Sequence, residues 1–343
     1  MHPAVSRLYH DDDGQRRRAV RKLFEVNDPA SLIGFTPLLT DDDPWFREKA
    51  MDAVRKWIGV GDCEIVKLLA ESEFPEQRVL ATTYSRLSTE CDSILIDLCN
   101  DESSVVRIAA WNARLMGERS DDSQLIGDAI VSEDAEVRKS AIRQLGRMTD
   151  IDEKLLRIGL EDPSPRVVAA AILVVSGRDG LMENGEIFDA LFLIARGRRG
   201  RKRDAAAGLI VGRCSERDEV KELLLKLVED NSRGLVNSLS EVLREINWWL
   251  IEGLPEKIVH GASEALAIRL LRGERAERAI TIRNQILCGS KRPDVTKSRI
   301  VEDLIGRTVD ESTLEIVEGL VGSEDESLSK ISRILISESA KSY

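Results

Sequence analysis

The side chains that most often carry catalysis are scarce in this sequence and do not form a recognisable group. Its three histidines are His2, His10 and His260, and two of them lie near the start, where chains are often poorly ordered. The sequence contains no Gly-x-Ser-x-Gly nucleophile motif and no glycine-rich phosphate loop after a strand. It therefore predicts no catalytic residues, no cofactor and no enzymatic activity.

The five cysteines could serve as metal ligands or disulfide partners only at suitable spacings. They are odd in number, show no Cys-x-x-Cys pair, and lie at positions 63, 91, 99, 214 and 288. Structural zinc sites use closely paired cysteines, so the spacing predicts neither a metal site nor a disulfide framework. We expect small buried thiols in a reducing cytoplasm.

Two further patterns bear on location. The first 13 residues lack the apolar segment of a signal peptide. The longest apolar stretch, Val167 to Val175, is far shorter than the ~20 residues that span a membrane. The sequence therefore predicts a cytoplasmic protein that does not contact membranes.

One stretch stands out by its charge. The chain as a whole has a net charge of −11, yet six of the eight residues from Arg196 to Arg203 are basic and the other two are glycine. Flexible arginines suit the phosphates of nucleic acid or an acidic protein surface. Alternatively, Glu161, Asp162, Glu229 and Asp230 neutralise them within the fold. The candidate binding residues are Arg196, Arg198, Arg199, Arg201, Lys202 and Arg203.

Trp248 and Trp249 form a second candidate binding feature. They are adjacent in a segment with helical periodicity, so their side chains should point about 100° apart. We expect one of them, or both, in the core. A tryptophan left exposed would be a suitable anchor for a protein partner.

The elements that position these residues follow from a phrase that recurs about every 30 residues. An acidic turn is followed by a bulky residue, an arginine and an alanine in DDDPWFREKA, SEFPEQRVLA, DESSVVRIAA and SEDAEVRKSA. A second series of aspartates lies at positions 62, 92, 122 and 152, each 30 residues from the next. Each of these aspartates precedes a short apolar run. Aspartate is a preferred helix N-cap. Each unit is therefore predicted to be a capped helix, an acidic turn and a second helix.

The second helix of each unit carries one apolar face. Ala50, Ala53, Val54 and Trp57 follow helical spacing, and the small alanines allow helices to approach to about 8–10 Å. A single helix pair cannot bury such a face, so the units must stack. The prediction is an all-α fold, an α-solenoid of stacked antiparallel helix pairs. Regular repeats cover residues 1–177, and divergent repeats continue the same solenoid over 178–343, with a separate helical C-terminal domain as the alternative.

The recurring phrase resembles the HEAT repeat, in its short version of about 30 residues that is also found in bilin lyases (the PBS-lyase type). In that family the turn aspartate and the arginine of the second helix form a ladder of hydrogen bonds between neighbouring units. The resemblance implies that four arginines are mainly structural: Arg47, Arg78, Arg107 and Arg138.

Two enzyme classes have related repeats. HEAT-like DNA glycosylases use tryptophan and aspartate in a basic groove, but Trp111 has no aspartate at helical spacing on its face, and nothing marks a chromophore site as in bilin lyases. The predicted function is a non-enzymatic scaffold that binds a protein partner along the solenoid surface. The alternative is a nucleic-acid or ribonucleoprotein-binding factor that uses residues 196–203.

Overall fold

The computed structural model describes residues 2–59, 62–117 and 122–340, and within these ranges it contains helices and no strands. The predicted all-α class is confirmed. The chain divides into two compact units, Met1–Gly159 and Leu160–Tyr343. This division falls near the end of one helix, whereas the sequence placed the change from regular to divergent repeats after residue 177.

The first unit is built mainly from pairs of a short and a longer helix. The α-helices are α1 (Asp13–Val26), α2 (Leu32–Phe35), α3 (Pro44–Trp57), α4 (Cys63–Ala70), α5 (Pro75–Ser85), α6 (Asp92–Leu98), α7 (Ser104–Leu115), α8 (Ser123–Ile130), α9 (Ala135–Leu145) and α10 (Glu153–Leu160). Short 3-10 helices cover Val5–Tyr9, Pro29–Ser31, Thr36–Thr40 and Thr89–Cys91. Within the pairs α4 contacts α5, α6 contacts α7 and α8 contacts α9, and the longer helices also contact one another in the order α5, α7, α9.

The predicted caps at the short helices are found in part. The side chain of Asp122 accepts the N–H of Gln124 at the start of α8, and Asp152 accepts the N–H of Lys154 before α10. Asp62 instead accepts the N–H of Gly59, and Asp92 is already the first residue of α6. Two of these four helices therefore begin with the predicted aspartate N-cap.

Small side chains bring the longer helices of the first unit together. The alanine of the recurring phrase is completely buried in each of the longer helices α3, α5, α7 and α9, at Ala50, Ala81, Ala110 and Ala141. At the start of the unit Phe24, Phe35 and Trp57 pack their rings together, with centroids 5.0–5.7 Å apart. The core therefore combines close helix contact with one aromatic cluster.

The expectation of free buried thiols is wrong for two of the five cysteines. Cys63, at the start of α4, and Cys91, just before α6, form a disulfide with a Cα–Cα distance of 5.8 Å. They lie 28 residues apart, close to one repeat, so stacking brings equivalent ends of successive short helices together. Cys99 and Cys214 are free and buried, whereas Cys288 is free and exposed.

The second unit continues the alternation of contacts without the same sequence register. The helices are α11 (Pro165–Ser176), α12 (Gly185–Ala195), α13 (Arg201–Cys214), α14 (Asp218–Leu227), α15 (Arg233–Glu245), α16 (Leu254–His260), α17 (Glu264–Leu271), α18 (Glu277–Cys288), α19 (Asp294–Glu302), α20 (Glu311–Leu320) and α21 (Glu326–Ser339). One row of contacting helices follows the order α11, α13, α15, α17, α19, α21, and a second row follows α16, α18, α20. Short 3-10 helices cover Leu181–Glu183 and Trp248–Leu250.

The approach of α13 to α15 is especially close. A Cβ atom added at Gly208 would overlap the side chain of Ser238, and one added at Gly234 would overlap that of Asp204. Glycine therefore takes the role in this contact that alanine has in the first unit.

The helix predicted to carry both tryptophans ends before them. The helix α15 stops at Glu245, because Ile246 adopts an extended conformation with φ −107° and ψ 156°. Trp248 and Trp249 then follow in a 3-10 turn, so helical spacing does not determine where their side chains point.

Candidate functional site

The turn that precedes α7 shows the common form of the acidic turn. Oδ1 of Asp101 accepts the N–H of Ser103 at 2.8 Å, and the guanidinium of Arg78 donates to both carboxylate oxygens at 2.7 and 2.9 Å. Both charged side chains are only 8% exposed. Arg78 also donates to the carbonyls of Ser72 and Glu73 in its own turn. One arginine therefore fastens two successive turns.

The same carbonyl contact recurs at the other three arginines predicted to be structural. Each donates through Nη1 to the two residues that precede the N-cap of its own helix. The pairs of carbonyls belong to Asp41 and Asp42 for Arg47, to Asp101 and Glu102 for Arg107, and to Ser132 and Glu133 for Arg138.

The contact that these arginines make with the following turn depends on the residue found there. Arg107 pairs with Asp134 at 2.8 Å. Arg47 meets Phe74, which stands where other turns have an acid, and its guanidinium lies 4.4 Å from the ring centroid. The ring face attracts the cation in place of a carboxylate.

The Asp101–Arg78 pair also shifts the ionisation of both groups. Burial disfavours the charged carboxylate of Asp101, but hydrogen bonds from Arg78 and the Ser103 N–H outweigh it and hold the pKa of Asp101 below its ordinary value. The hydrogen bond to Asp101 in turn raises the pKa of Arg78. Each partner keeps the other charged.

The turn between α12 and α13 carries basic side chains where the turn before α7 carries acidic ones. We call residues 196–202 the basic turn. Arg198 lies two residues before Gly200, the N-cap of α13, and so occupies the position that Asp101 has before Ser103. Elsewhere the side chain at this position accepts the N–H of the N-cap, as happens at His10, Asp41, Ser72, Asp101, Ser132, Asp162, Asp230 and Ser323. An arginine side chain cannot accept a hydrogen bond.

The preceding repeat lacks the arginine that would contact an acidic turn at this place. The fastening arginine lies four residues after the N-cap, as Arg78 does after Phe74. Four residues after Ser164, the N-cap of α11, the chain has the buried Val168. A valine offers no cation to face the basic turn, so like charges are not brought together there.

Three cations of the basic turn point freely into solvent. Arg198, Arg201 and Lys202 are exposed and form no ion pair within residues 2–59, 62–117 and 122–340. Arg199, with 73% of its side chain exposed, is 2.9 Å from Asp230. The guanidinium of Arg196 lies 5.6 Å from the centre of the Phe192 ring.

Arg203, the last candidate cation, is buried and belongs to the fold. It pairs with Asp204 at 2.9 Å and with Asp230 at 3.0 Å, and donates to Oγ of Ser232. Burial disfavours the charged form of Asp230, but the Ser232 N–H and the two arginines, Arg203 and Arg199, hold its pKa below the ordinary value. The predicted neutralisation by Asp230 therefore applies to Arg203 and partly to Arg199.

A small cavity lies beside the basic turn. It has a volume of about 260 Å³ and is bounded by both charged and apolar side chains. The charged groups are Arg196, Arg203, Lys226 and Asp230, and the apolar ones are Ala195, Leu223 and Leu227. Sequence reasoning did not identify Lys226. Its place in the last turn of α14, four residues before Asp230, was the available signal.

The two candidate tryptophans differ in exposure. Trp248 is completely buried, and its Nε1 has no hydrogen-bond partner. Trp249 is half-buried and meets the ring of Trp248 edge-on, with centroids 5.7 Å apart. A partner can therefore reach Trp249 but not Trp248.

A larger cavity lies between α4 and α6 in the first unit. Its volume is about 490 Å³, and Cys63 of the disulfide lies at its edge. Its charged lining consists of Lys67 and five acids, Glu64, Glu71, Glu90, Asp97 and Asp101. Asp101 already belongs to the fastening of the turns.

A metal site and a membrane-spanning helix are both absent from the part of the chain that the structure describes. No group of three or more histidine, cysteine or acidic side chains is arranged to hold a metal ion there. No helix among those residues has the length and apolar character needed to cross a membrane.

Comparisons with known proteins match the chain only to solved structures of low similarity. No family model matches the chain, and no curated protein matches it. Among solved structures, the Escherichia coli protein YibA is 14% identical, with 79% of this chain and 96% of that chain covered and a TM-score of 0.48. An engineered protein is 17% identical over 98% of both chains, with a TM-score of 0.41. At these values the similarities assign neither a family nor a function.

Proposed function

We propose that this chain is a non-enzymatic scaffold of HEAT-like helix pairs that stack as one solenoid and bind a protein partner along its surface. The supporting observation is the repeated fastening of successive turns, seen most completely where Arg78 joins the carbonyls of Ser72 and Glu73 to the carboxylate of Asp101. Because such contacts join each helix pair to the next, the helix pairs present side chains at regular spacing to an extended partner.

Affinity capture from the native cell tests this proposal. The purified chain is immobilised at moderate salt, and the lysate is divided into nuclease-treated and untreated portions. We expect a stoichiometric protein that is retained in both portions. A chain that emerges without any stoichiometric protein from either portion contradicts the scaffold function.

Nucleic-acid binding is the second candidate function, and the exposed cations of the basic turn favour it. If phosphates are the ligand, Arg198→Ser, Arg201→Ser and Lys202→Ser together should abolish retention on RNA or DNA and flatten its dependence on salt. The measurement is retention of labelled RNA and DNA over a salt series. Absence of retention by the unchanged chain at low salt excludes this candidate.

A further inference from the structure

We infer that the basic turn and the cavity beside it bind a short acidic protein segment that carries an apolar side chain between its carboxylates. The inference rests on the proposed protein-binding function and names the chemistry of the partner. Two features of the second unit carry it: cations without internal partners and a cavity with apolar walls.

The first feature is the free charge of the basic turn. Arg198, Arg201 and Lys202 are exposed without ion pairs in the described part of the chain, although the whole chain is acidic. Charges within the Debye length of about 8 Å at physiological salt act together on a ligand. Such a cluster attracts an anion even though Asp230 partly neutralises Arg199.

The chain itself shows what kind of anion fits such arginines. In the common form of the turn a carboxylate accepts two hydrogen bonds from one guanidinium, as Asp101 does from Arg78. At the basic turn Arg198 stands where four other turns have an aspartate, at positions 41, 101, 162 and 230. A partner with aspartate or glutamate side chains restores the same pairing across an interface.

The cavity distinguishes a protein segment from nucleic acid. Ala195, Leu223 and Leu227 form apolar walls, and the charged side is lined by Arg196, Lys226 and the buried pair of Arg203 and Asp230. A volume of about 260 Å³ accommodates one aliphatic or aromatic side chain. A leucine flanked by glutamates places an apolar group in the cavity and carboxylates on the cations, whereas a sugar-phosphate backbone has no such apolar group.

Peptide binding measured by fluorescence anisotropy tests the inference. The probes are a labelled Glu-Glu-Leu-Glu-Glu peptide, the same peptide with alanine for leucine, and an oligodeoxythymidine of equal charge. For the unchanged chain we expect the leucine peptide to bind more tightly than the other two, by about fivefold or more for the alanine peptide. Raising the salt concentration should weaken all binding to the basic turn.

Charge reversal locates the site. The variant R198E/R201E/K202E should lose at least about tenfold in affinity for the leucine peptide. The matched control R18E/R21E/K22E changes the same residue types on α1, where all three are exposed, and should bind within about twofold of the unchanged chain. Circular dichroism and urea unfolding establish that both variants are folded.

Each contrary result overturns a defined part of the inference. If the alanine peptide binds as tightly as the leucine peptide, the cavity does not hold the apolar side chain. If the oligodeoxythymidine binds more tightly than the leucine peptide, the ligand is nucleic acid and not a protein segment. If R198E/R201E/K202E binds the leucine peptide as tightly as the unchanged chain does, the basic turn is not the binding site. A cellular partner that this variant still captures contradicts the site but leaves the scaffold function in place. If neither chain captures a partner, the scaffold function fails whatever the peptides show.

Discussion

The turn at Asp101 and the basic turn occupy the same position in a helix pair, but they treat charge in opposite ways. At Asp101 a buried carboxylate is held by Arg78 and by the N–H of Ser103. At the basic turn Arg198 takes the equivalent position and faces solvent, while the buried Val168 replaces the arginine of the preceding repeat. A position that fastens repeats in one place is therefore free to bind a ligand in another.

The comparison also separates two roles of arginine. Arg78 and Arg203 are both buried and both reach the aspartate of the following turn. Arg198 and Arg201 are close to Arg203 in sequence but have no carboxylate of the chain to bind in its described part. Burial and an internal partner, rather than residue type, distinguish the structural arginines.

Removing Arg78 should have the largest effect. Arg78→Ala leaves the carboxylate of Asp101 buried without its cation and frees two turn carbonyls, so we expect the free energy of unfolding to fall by about 3–5 kcal/mol. Urea denaturation measures this change. The control is Arg55→Ala, which breaks an exposed pair with Asp52 and should cost less than about 1 kcal/mol. Equal losses in the two variants would contradict a fastening role for Arg78.

Removing the disulfide should have the next largest effect. Cys63 and Cys91 close a loop with a sequence separation of 28 residues, and the chain-entropy model gives about 3–4 kcal/mol for such a cross-link. Cys63→Ala together with Cys91→Ala should lower the free energy of unfolding by that amount. The unchanged chain in reducing agent should show the same loss, and insensitivity to the reducing agent would argue against the cross-link.

Restoring the acidic form of the turn sharpens the comparison. Val168→Arg alone introduces a guanidinium opposite the basic turn and should destabilise the chain. Arg198→Asp in the same chain supplies the missing carboxylate, so the double variant should be more stable than the sum of the single changes predicts, by about 1–2 kcal/mol. A double-mutant cycle in urea measures this coupling. Strict additivity would show that the two positions do not face each other as Arg78 and Asp101 do.

Lowering the pH should produce the smallest of these changes in stability. The pKa of Asp101 is held below its ordinary value of about 3.9, so its ionised form stabilises the fold above that pH. This stabilisation is lost as the pH falls through the lowered pKa. The stability difference between the unchanged chain and Asp101→Asn should therefore be constant above about pH 5 and shrink below pH 4. A difference that grows in acid contradicts this assignment.

Much of the fold could be predicted because the repeat is local in sequence. Helical spacing and the alanine of the recurring phrase predict the paired helices, and the buried Ala110 and Ala141 lie where the pattern placed them. The disulfide was missed because Cys63 and Cys91 come together only through stacking, although they flank Asp62 and Asp92 of the 30-residue series.

The candidate site was predictable as a charged stretch but not in its details. Six basic residues are visible in the sequence, yet tertiary contacts determine that Arg203 is buried against Asp230 while Arg198 is exposed. The same holds for the tryptophans, because the extended backbone at Ile246 ends the helix and buries Trp248. Lys226 lines the cavity through the packing of α14, and its place four residues before Asp230 is the one sign of this in the sequence.

The most direct test of the account is the free energy of unfolding of R198E/R201E/K202E beside that of R78A. If the basic turn serves a partner rather than the fold, the triple variant should stay within about 0.5 kcal/mol of the unchanged chain despite reversing three charges. R78A should lose several times as much from a single substitution. A loss of about 2 kcal/mol or more in the triple variant would contradict the account, because those cations would then stabilise the fold itself.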